Sequence, residues 1–332
     1  MINKFGLTIS VARRLASAAI ICLGLSQPAL AQTKIRVAAT ISTDLSAAAL
    51  GLALKNGDFK KAGLDVELKS FVQSNQKYDA FKGGAVDIDV NMGAINAGQL
   101  YSSGVPMHVL RAVTPADIWA VVVKKESVLS KPGDFKGKRF GVVSLSGTNY
   151  GTTYLAFKTE NVDLMRDVKV STLPPSALVT ALEKGEVDGA TLYEPYLTNT
   201  LKNGRVKIVF RPGDTYQKVF GEPFIGLVIS ARKDFVAANR EAAKKFVAVM
   251  ENALASLPDN LDRASHTFVE VFPEIKSTPA EIKEMLIPYV PNIITSRNDP
   301  AFVKKAQNLY DRLLEAKQIR DPVKASEFWI SL

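Results

Sequence analysis

Between residues 34 and 192, short runs rich in valine, isoleucine and alanine alternate with segments whose apolar residues recur every three to four positions. Runs of the first kind suit buried strands and segments of the second kind amphipathic helices. The pattern predicts strands over 34–40, 65–71, 86–90, 107–113 and 118–123, with helices over 45–55, 76–82 and 95–101 between them. After Lys125 it restarts, with strands over 139–143, 168–173 and 187–192 and helices over 150–160 and 176–184. Strand and helix in regular alternation predict an α/β protein built on parallel sheets.

Ala-Phe-Lys-Gly-Gly-Ala-Val-Asp, ending at Asp87, returns as Ala-Leu-Glu-Lys-Gly-Glu-Val-Asp, ending at Asp188, 101 residues later. In each copy a helix runs into a glycine able to take a left-handed cap, and an aspartate-bearing turn leads into a core strand. The echo marks equivalent positions in two similar lobes. After a strand over 224–230 the chain turns helical, over 240–257, 261–271, 279–286 and 300–316, with Pro279 and Pro300 in first-turn positions and Thr278 and Asp299 as caps. These helices have no strands of their own to cover. Packed back on the first lobe, they make the chain cross between lobes twice, near 114–119 and 223–229. The expected division is a leader over 1–31, a first lobe over 32–117 and 225–332, and a second lobe over 118–224.

The leader changes what is exported and what chemistry is possible. Lys4, Arg13 and Arg14 precede an apolar stretch over 15–26 that is too short to span a bilayer, and Ala29-Leu30-Ala31 forms a small-residue cleavage site before Gln32. Ordinary secretion is expected over the twin-arginine route, whose surrounding residues match poorly, and Cys22 follows Ile20-Ile21 rather than a lipobox. Cys22 is the chain's one cysteine, so the mature protein has no disulfide, thiol nucleophile or thiolate site. The leader carries three cations and no acid, which takes the net charge from +9 to +6 on cleavage. That surplus is scattered and does not alternate with aromatics, so no nucleic-acid partner is expected.

Catalytic equipment is sparse. The histidines are His108 in an apolar strand and His266 on a polar helix, and no G-x-S-x-G, H-E-x-x-H, P-loop or G-x-G-x-x-G occurs. A binder is expected, with no enzymatic activity, cofactor or metal.

Several features taken in order carry a family resemblance: Ser42-Thr43 after the opening strand, Gly84 to Asp87, and Gly185-Glu186-Val187-Asp188. To these add Tyr193-Glu194-Pro195 and the run from Phe135 to Val142 leading into Ser144-Leu145-Ser146-Gly147-Thr148. From Lys34 to the C-terminal helices the chain resembles the type II periplasmic solute-binding proteins of ABC importers. The branch is that of the nitrate, sulfonate, taurine, bicarbonate and thiamine-precursor binders. The resemblance implies a two-lobed periplasmic-binding-protein fold and a monomer that closes on a small organic solute and docks on an inner-membrane ABC permease. The solute is a sulfonate- or carboxylate-like anion or a heteroaromatic ring. A periplasmic sensor on the same fold is the alternative. A pyrimidine-synthesis enzyme lacks its histidines and cysteines here.

Ligands of open α/β sheets sit beyond the carboxyl ends of strands. In the first lobe this selects Thr40, Ser42 and Thr43, then Gln73, Ser74 and Asn75, then Asn91 and Met92. Ser42 and Thr43 read equally as a helix cap. In the second lobe Ser146, Gly147, Thr148 and Asn149 open a helix whose amide donors suit an anion. Tyr193 reads as a flat wall, and Glu194 as an acceptor for the ligand or a partner of a helix start. Trp119 and Phe224, at the crossings, read either as cleft walls or as core. Intact-mass measurement of the exported protein should give a chain that begins at Gln32 with no lipid adduct; a retained leader would refute the processing.

Overall fold

The computed structural model describes residues 32–115 and 118–332, so the leader over 1–31, its cleavage site, and 116–117 of the first crossing lie outside the described residues. The strands are β1 Thr33–Thr40, β2 Leu64–Phe71, β3 Ile88–Gly93, β4 Met107–Pro115, β5 Ala120–Lys124, β6 Arg139–Val142, β7 Lys169–Thr172, β8 Gly189–Leu192, β9 Val206–Phe210 and β10 Ile225–Arg232. They form two five-stranded sheets ordered β2-β1-β3-β10-β4 and β7-β6-β8-β5-β9. The two orders are the same, second-first-third-inserted-fourth, once the inserted strands β10 and β5 are left out of the count. Each has a parallel β-α-β-α-β start, an inserted strand, and a fourth strand beyond it.

The inserted strands correct the expectation of parallel sheets. β10 runs antiparallel to β3 and β4, and β5 antiparallel to β8 and β9, so both sheets are mixed. Each inserted strand is the one that follows a crossing and enters its sheet from the other lobe. Direction is imposed by that route, and no residue pattern encodes it. β9 and the helix Pro212–Phe220 after it were not foreseen from the sequence. The helix Arg240–Val271 replaces two expected helices, kinked where Asn260 leaves helical angles two residues after Pro258.

The 101-residue echo has a shared physical cause. Gly84 (φ 74°) and Gly185 (φ 76°) take the left-handed turn that ends each helix. Beyond it Asp87 accepts from the Arg36 backbone N–H (2.9 Å) and Nε (3.0 Å), and Asp188 accepts from the Arg139 N–H (2.8 Å) and Nε (3.2 Å). In both lobes the aspartate N–H returns a bond to the arginine carbonyl at 2.8 Å. The motif therefore pins the start of the third strand of each sheet to the first.

Helices cover the sheets as the apolar pattern requires. Arg240–Val271 buries Phe246, Met250, Leu254 and Phe268 in the core that holds the helix Leu45–Lys55, whose Gly51 faces the backbone at Thr267 and Phe268. Thr278 and Asp299 cap the helices Pro279–Leu286 and Pro300–Glu315, as their sequences predict. The second of these sends Phe302, Leu309, Tyr310 and Leu313 into an apolar cluster with Met92, Ile95, Trp119 and Phe224, and Leu155 and Tyr216 join it from the second lobe's helices. The C-terminal helices thus pack on the first lobe, and one reaches the second.

The two aspartate staples differ in burial. Asp87 is 7 % exposed, and Asp87→Ala should lower the unfolding free energy by about 2 kcal/mol, because it leaves the part-buried Arg36 N–H without its acceptor. The Asp188 side chain is 29 % exposed, and Asp188→Ala should cost about 1 kcal/mol or less. Urea midpoints of the two variants check the order; equal losses would contradict it.

Candidate functional site

In both sheets the chain leaves the first strand to one side and the third to the other, so the carboxyl ends of β1 and β3, and of β6 and β8, flank the switch points where α/β proteins bind ligands. In the first lobe that region is held by a buried polar hub. Lys77, fully buried on the helix Ser74–Lys82, donates to Asp89 Oδ1 (2.9 Å), the Asn91 carbonyl (3.0 Å) and Asn91 Oδ1 (2.8 Å), which uses all three ammonium hydrogens. The Asn91 amide also receives the Thr40 N–H (2.9 Å) and donates to the Thr40 carbonyl (3.0 Å) and Asp44 Oδ2 (2.9 Å). Burial pulls the Lys77 ammonium down and pushes the Asp89 carboxyl up from their ordinary values, while the contact between them opposes both shifts.

Asp44 is the cap of the helix Leu45–Lys55, accepting from the Ala47 N–H at 3.0 Å, so neither Ser42 nor Thr43 fills that role. The Ser42 hydroxyl donates to Asp44, and Thr43 is buried with an unpartnered Oγ1. Thr40 shares a 3.2 Å hydroxyl contact with Ser74. Gln73 and Asn75 are exposed at the start of the Ser74 helix. Asn91 is consumed by the hub. Met92, Trp119 and Phe224 lie in the apolar cluster shared by the lobes.

In the second lobe Ser146 and Gly147 (φ 83°) open the helix Gly147–Lys158, and Gly147 and Thr148 lie against Asn96 of the first lobe. Asn149 Nδ2 and the Tyr150 hydroxyl are buried without partners, and burial holds the Tyr150 phenol protonated by pushing it up to about 12. Tyr193, half-buried after β8, packs on the shared cluster and stands edge-on to Tyr196, with ring centroids 5.8 Å apart; burial pushes its phenol up to about 12 as well.

Glu194 is 4 % exposed and accepts from the Thr198 N–H (3.0 Å), the Thr198 hydroxyl (2.9 Å) and the Tyr289 hydroxyl (3.0 Å). Tyr289 belongs to the first lobe's core, so this carboxylate joins the lobes. Arg211 lies over the Tyr289 ring, 5.4 Å from its centroid.

Thr43, Asn149 and Tyr193 thus lie in the segments after β1, β6 and β8, Tyr150 packs in the second lobe's own apolar core, and Thr148 and Glu194 are spent between the lobes. Residues missed from the sequence include Lys77, which reads as a solvated helix cation, and two with buried, unpartnered hydroxyls: Ser46 in the first turn of the helix Leu45–Lys55, and Thr114 near the end of β4. Among the described residues no group of three or more histidine, cysteine, aspartate or glutamate side chains is placed to hold a metal ion.

Burial outweighs the hydrogen bonds at Glu194 and raises its carboxyl above the usual range. A raised folded value gives stability that is complete below the unfolded value near pH 4.3 and is lost as pH rises through the folded one. Glu194→Gln has no such loss, so its melting point relative to wild type should climb as pH rises above about 4.3 and level off once the folded carboxyl has ionised. A difference that stays flat or falls over that range would contradict the shift.

Comparison with known proteins gives the family. The taurine-binding periplasmic protein of Escherichia coli is 30% identical over 210 residues, 62% of this chain and 62% of that protein, so the match spans less than two thirds of the relative's length. Among solved structures, the periplasmic aliphatic sulphonate binding protein of Escherichia coli superposes with a TM-score of 0.76 over 90% of this chain and 92% of that one, at 16% identity. The alkanesulfonate-binding protein of Xanthomonas axonopodis pv. citri bound to MOPS gives 0.73 over 90% and 99%, at 16% identity. These likenesses establish the two-lobed periplasmic-binding-protein fold. Residues 46–264, well over half of the chain, match the family described as NMT1/THI5 like, and the chain belongs to that family.

Proposed function

We propose that this protein is a periplasmic solute-binding protein that captures a small organosulfonate between its lobes and delivers it to an ABC permease of the inner membrane. The observation that carries the reading is the set of buried polar atoms without partners in the segments that follow β1 and β6: Thr43 Oγ1 and Ser46 Oγ in the first lobe and Asn149 Nδ2 in the second. Buried donors are nearly always satisfied, and unpaired ones where the helices after β1 and β6 begin fit a ligand supplying several acceptor oxygens. They are neutral donors beside two helix starts, which suits a singly charged oxyanion better than a multiply charged one. The Lys77 ammonium is consumed by its three acceptors, and the Glu194 carboxylate faces Thr198 and Tyr289, so neither adds a charge to the ligand.

Tyr193 supplies a flat apolar wall for the carbon chain of such a solute. The taurine-binding and sulphonate-binding relatives support the same class of ligand. Residues 1–31 would direct export, and their removal would leave the binder in the periplasm.

A thermal-shift and calorimetric comparison of taurine, a longer alkanesulfonate, nitrate and a pyrimidine tests the reading. At a hundred times its dissociation constant a true ligand adds about 2.7 kcal/mol of stability, and that gain is expected with a sulfonate. Stabilisation by the pyrimidine with none from either sulfonate would overturn it.

A further inference from the structure

Two helices begin at the lobe boundary and neither carries its own cap. Ala94–Ser102 of the first lobe follows Gly93, and Gly147–Lys158 of the second follows Ser146, with no side-chain cap bond in either. Their first-turn donors are satisfied instead by each other's side chains. The Ile95 N–H donates to Thr148 Oγ1 at 3.1 Å, and the Thr148 N–H and hydroxyl both donate to Asn96 Oδ1 at 3.2 Å. Thr148 is 4 % exposed, so water does not replace these partners while the lobes touch. The backbone makes room for the contact. A Cβ on Gly93 would overlap Thr148 Oγ1, one on Gly151 would overlap the Ile95 Cδ1 atom, and one on Gly147 would press on the Asn96 amide at 3.1 Å.

We propose that Asn96 and Thr148 form a closure clasp, in which each lobe caps the other's helix and separating the lobes uncaps both. The clasp rests on the reading above that the lobes part and close around a solute, and it adds that closure draws on contacts the ligand never touches. Two positive helix ends abut there, and only neutral acceptors lie between them, so the clasp biases the closed state without locking it. Apparent affinity then scales with the fraction of molecules already closed.

The test uses the cysteine-free mature chain, in which spin labels can be placed at Asp65→Cys and Lys169→Cys, exposed positions on β2 and β7. Without ligand, wild type should show a short inter-label distance, and Asn96→Ala and Thr148→Val should each move population to a longer one. Both variants should bind taurine roughly ten-fold more weakly. Gly93→Ala supplies a second wedge: Gly93 has an ordinary negative φ of −68°, so the obstacles to alanine are Thr148 of the other lobe and the Asn96 amide oxygen, the two sides of the clasp itself. It should lengthen the distance even if Thr148→Val misfolds. Distance distributions in Asn96→Ala and Gly93→Ala that match wild type, or a ligand-free wild type with no short component, would overturn the clasp. Failure of every form to bind taurine would count against the proposed solute, and the ligand-free distances would still decide the clasp.

Discussion

Each sheet of this protein is completed by a strand that arrives from the other lobe, and the arrangement of the site follows from that constraint. β10 lies between β3 and β4, so the fourth strand of the first sheet has no neighbour within that sheet until the whole second sheet has been threaded. The same holds in reverse for β5, which separates β8 from β9. A strand returning from the opposite lobe runs against its neighbours. The parallel strands therefore keep their carboxyl ends on one side, and the two sheets present those ends to a common boundary. Non-local pairing of this kind forms slowly, but it ties the lobes at two points while leaving the strand ends available.

Given those ends, the lobes hold their loops by different means. In the first, a buried ammonium gathers the β1 and β3 ends and the cap of the Leu45 helix into one network through Asn91. Such a buried ion pair is a poor source of net stability because both charges are desolvated. What it supplies here is position: three acceptors exhaust the lysine, and the asparagine that receives it spans two strands. The second lobe has Glu194 two residues after β8, and that carboxylate is satisfied partly by Thr198 of the helix that follows and partly across the boundary by Tyr289. One lobe is organised from within, while the other takes part of its order from its partner.

This division explains how much was legible in the sequence. The alternation of strands and helices, the Thr278 and Asp299 caps, and the glycine-aspartate echo depend on neighbours within a few residues, and local pattern carries them. Strand direction depends on the route of the chain, so the mixed sheets were invisible. Ser42, Thr43 and Asp44 are three capping residues in a row, and only the backbone geometry selects Asp44. Position after a strand places a residue near the boundary without saying which way its side chain points: Met92 turns into the apolar cluster, whereas Thr43 is left with an unpartnered hydroxyl. Lys77 sits on a helix with polar neighbours, and nothing short of the fold reveals that it is wholly buried.

The boundary between the lobes is itself partly a core. Leu155, Tyr216 and Tyr193 from the second lobe pack with Ile95, Trp119, Phe224 and Leu313, and Arg312 and Asn308 of a C-terminal helix bind Glu222 beside the second crossing. A ligand can shift such an equilibrium only by the difference between its affinities for the two states. If the lobes part and close as proposed, apolar burial and exchanged caps already favour contact, and a small solute with a handful of hydrogen bonds would need to supply only the remainder. The cost would fall on selectivity, since any ligand captured between the lobes would profit from the same bias. Discrimination must then come from the unpartnered buried groups, which penalise a ligand that leaves them unpaired more than they reward one that fills them.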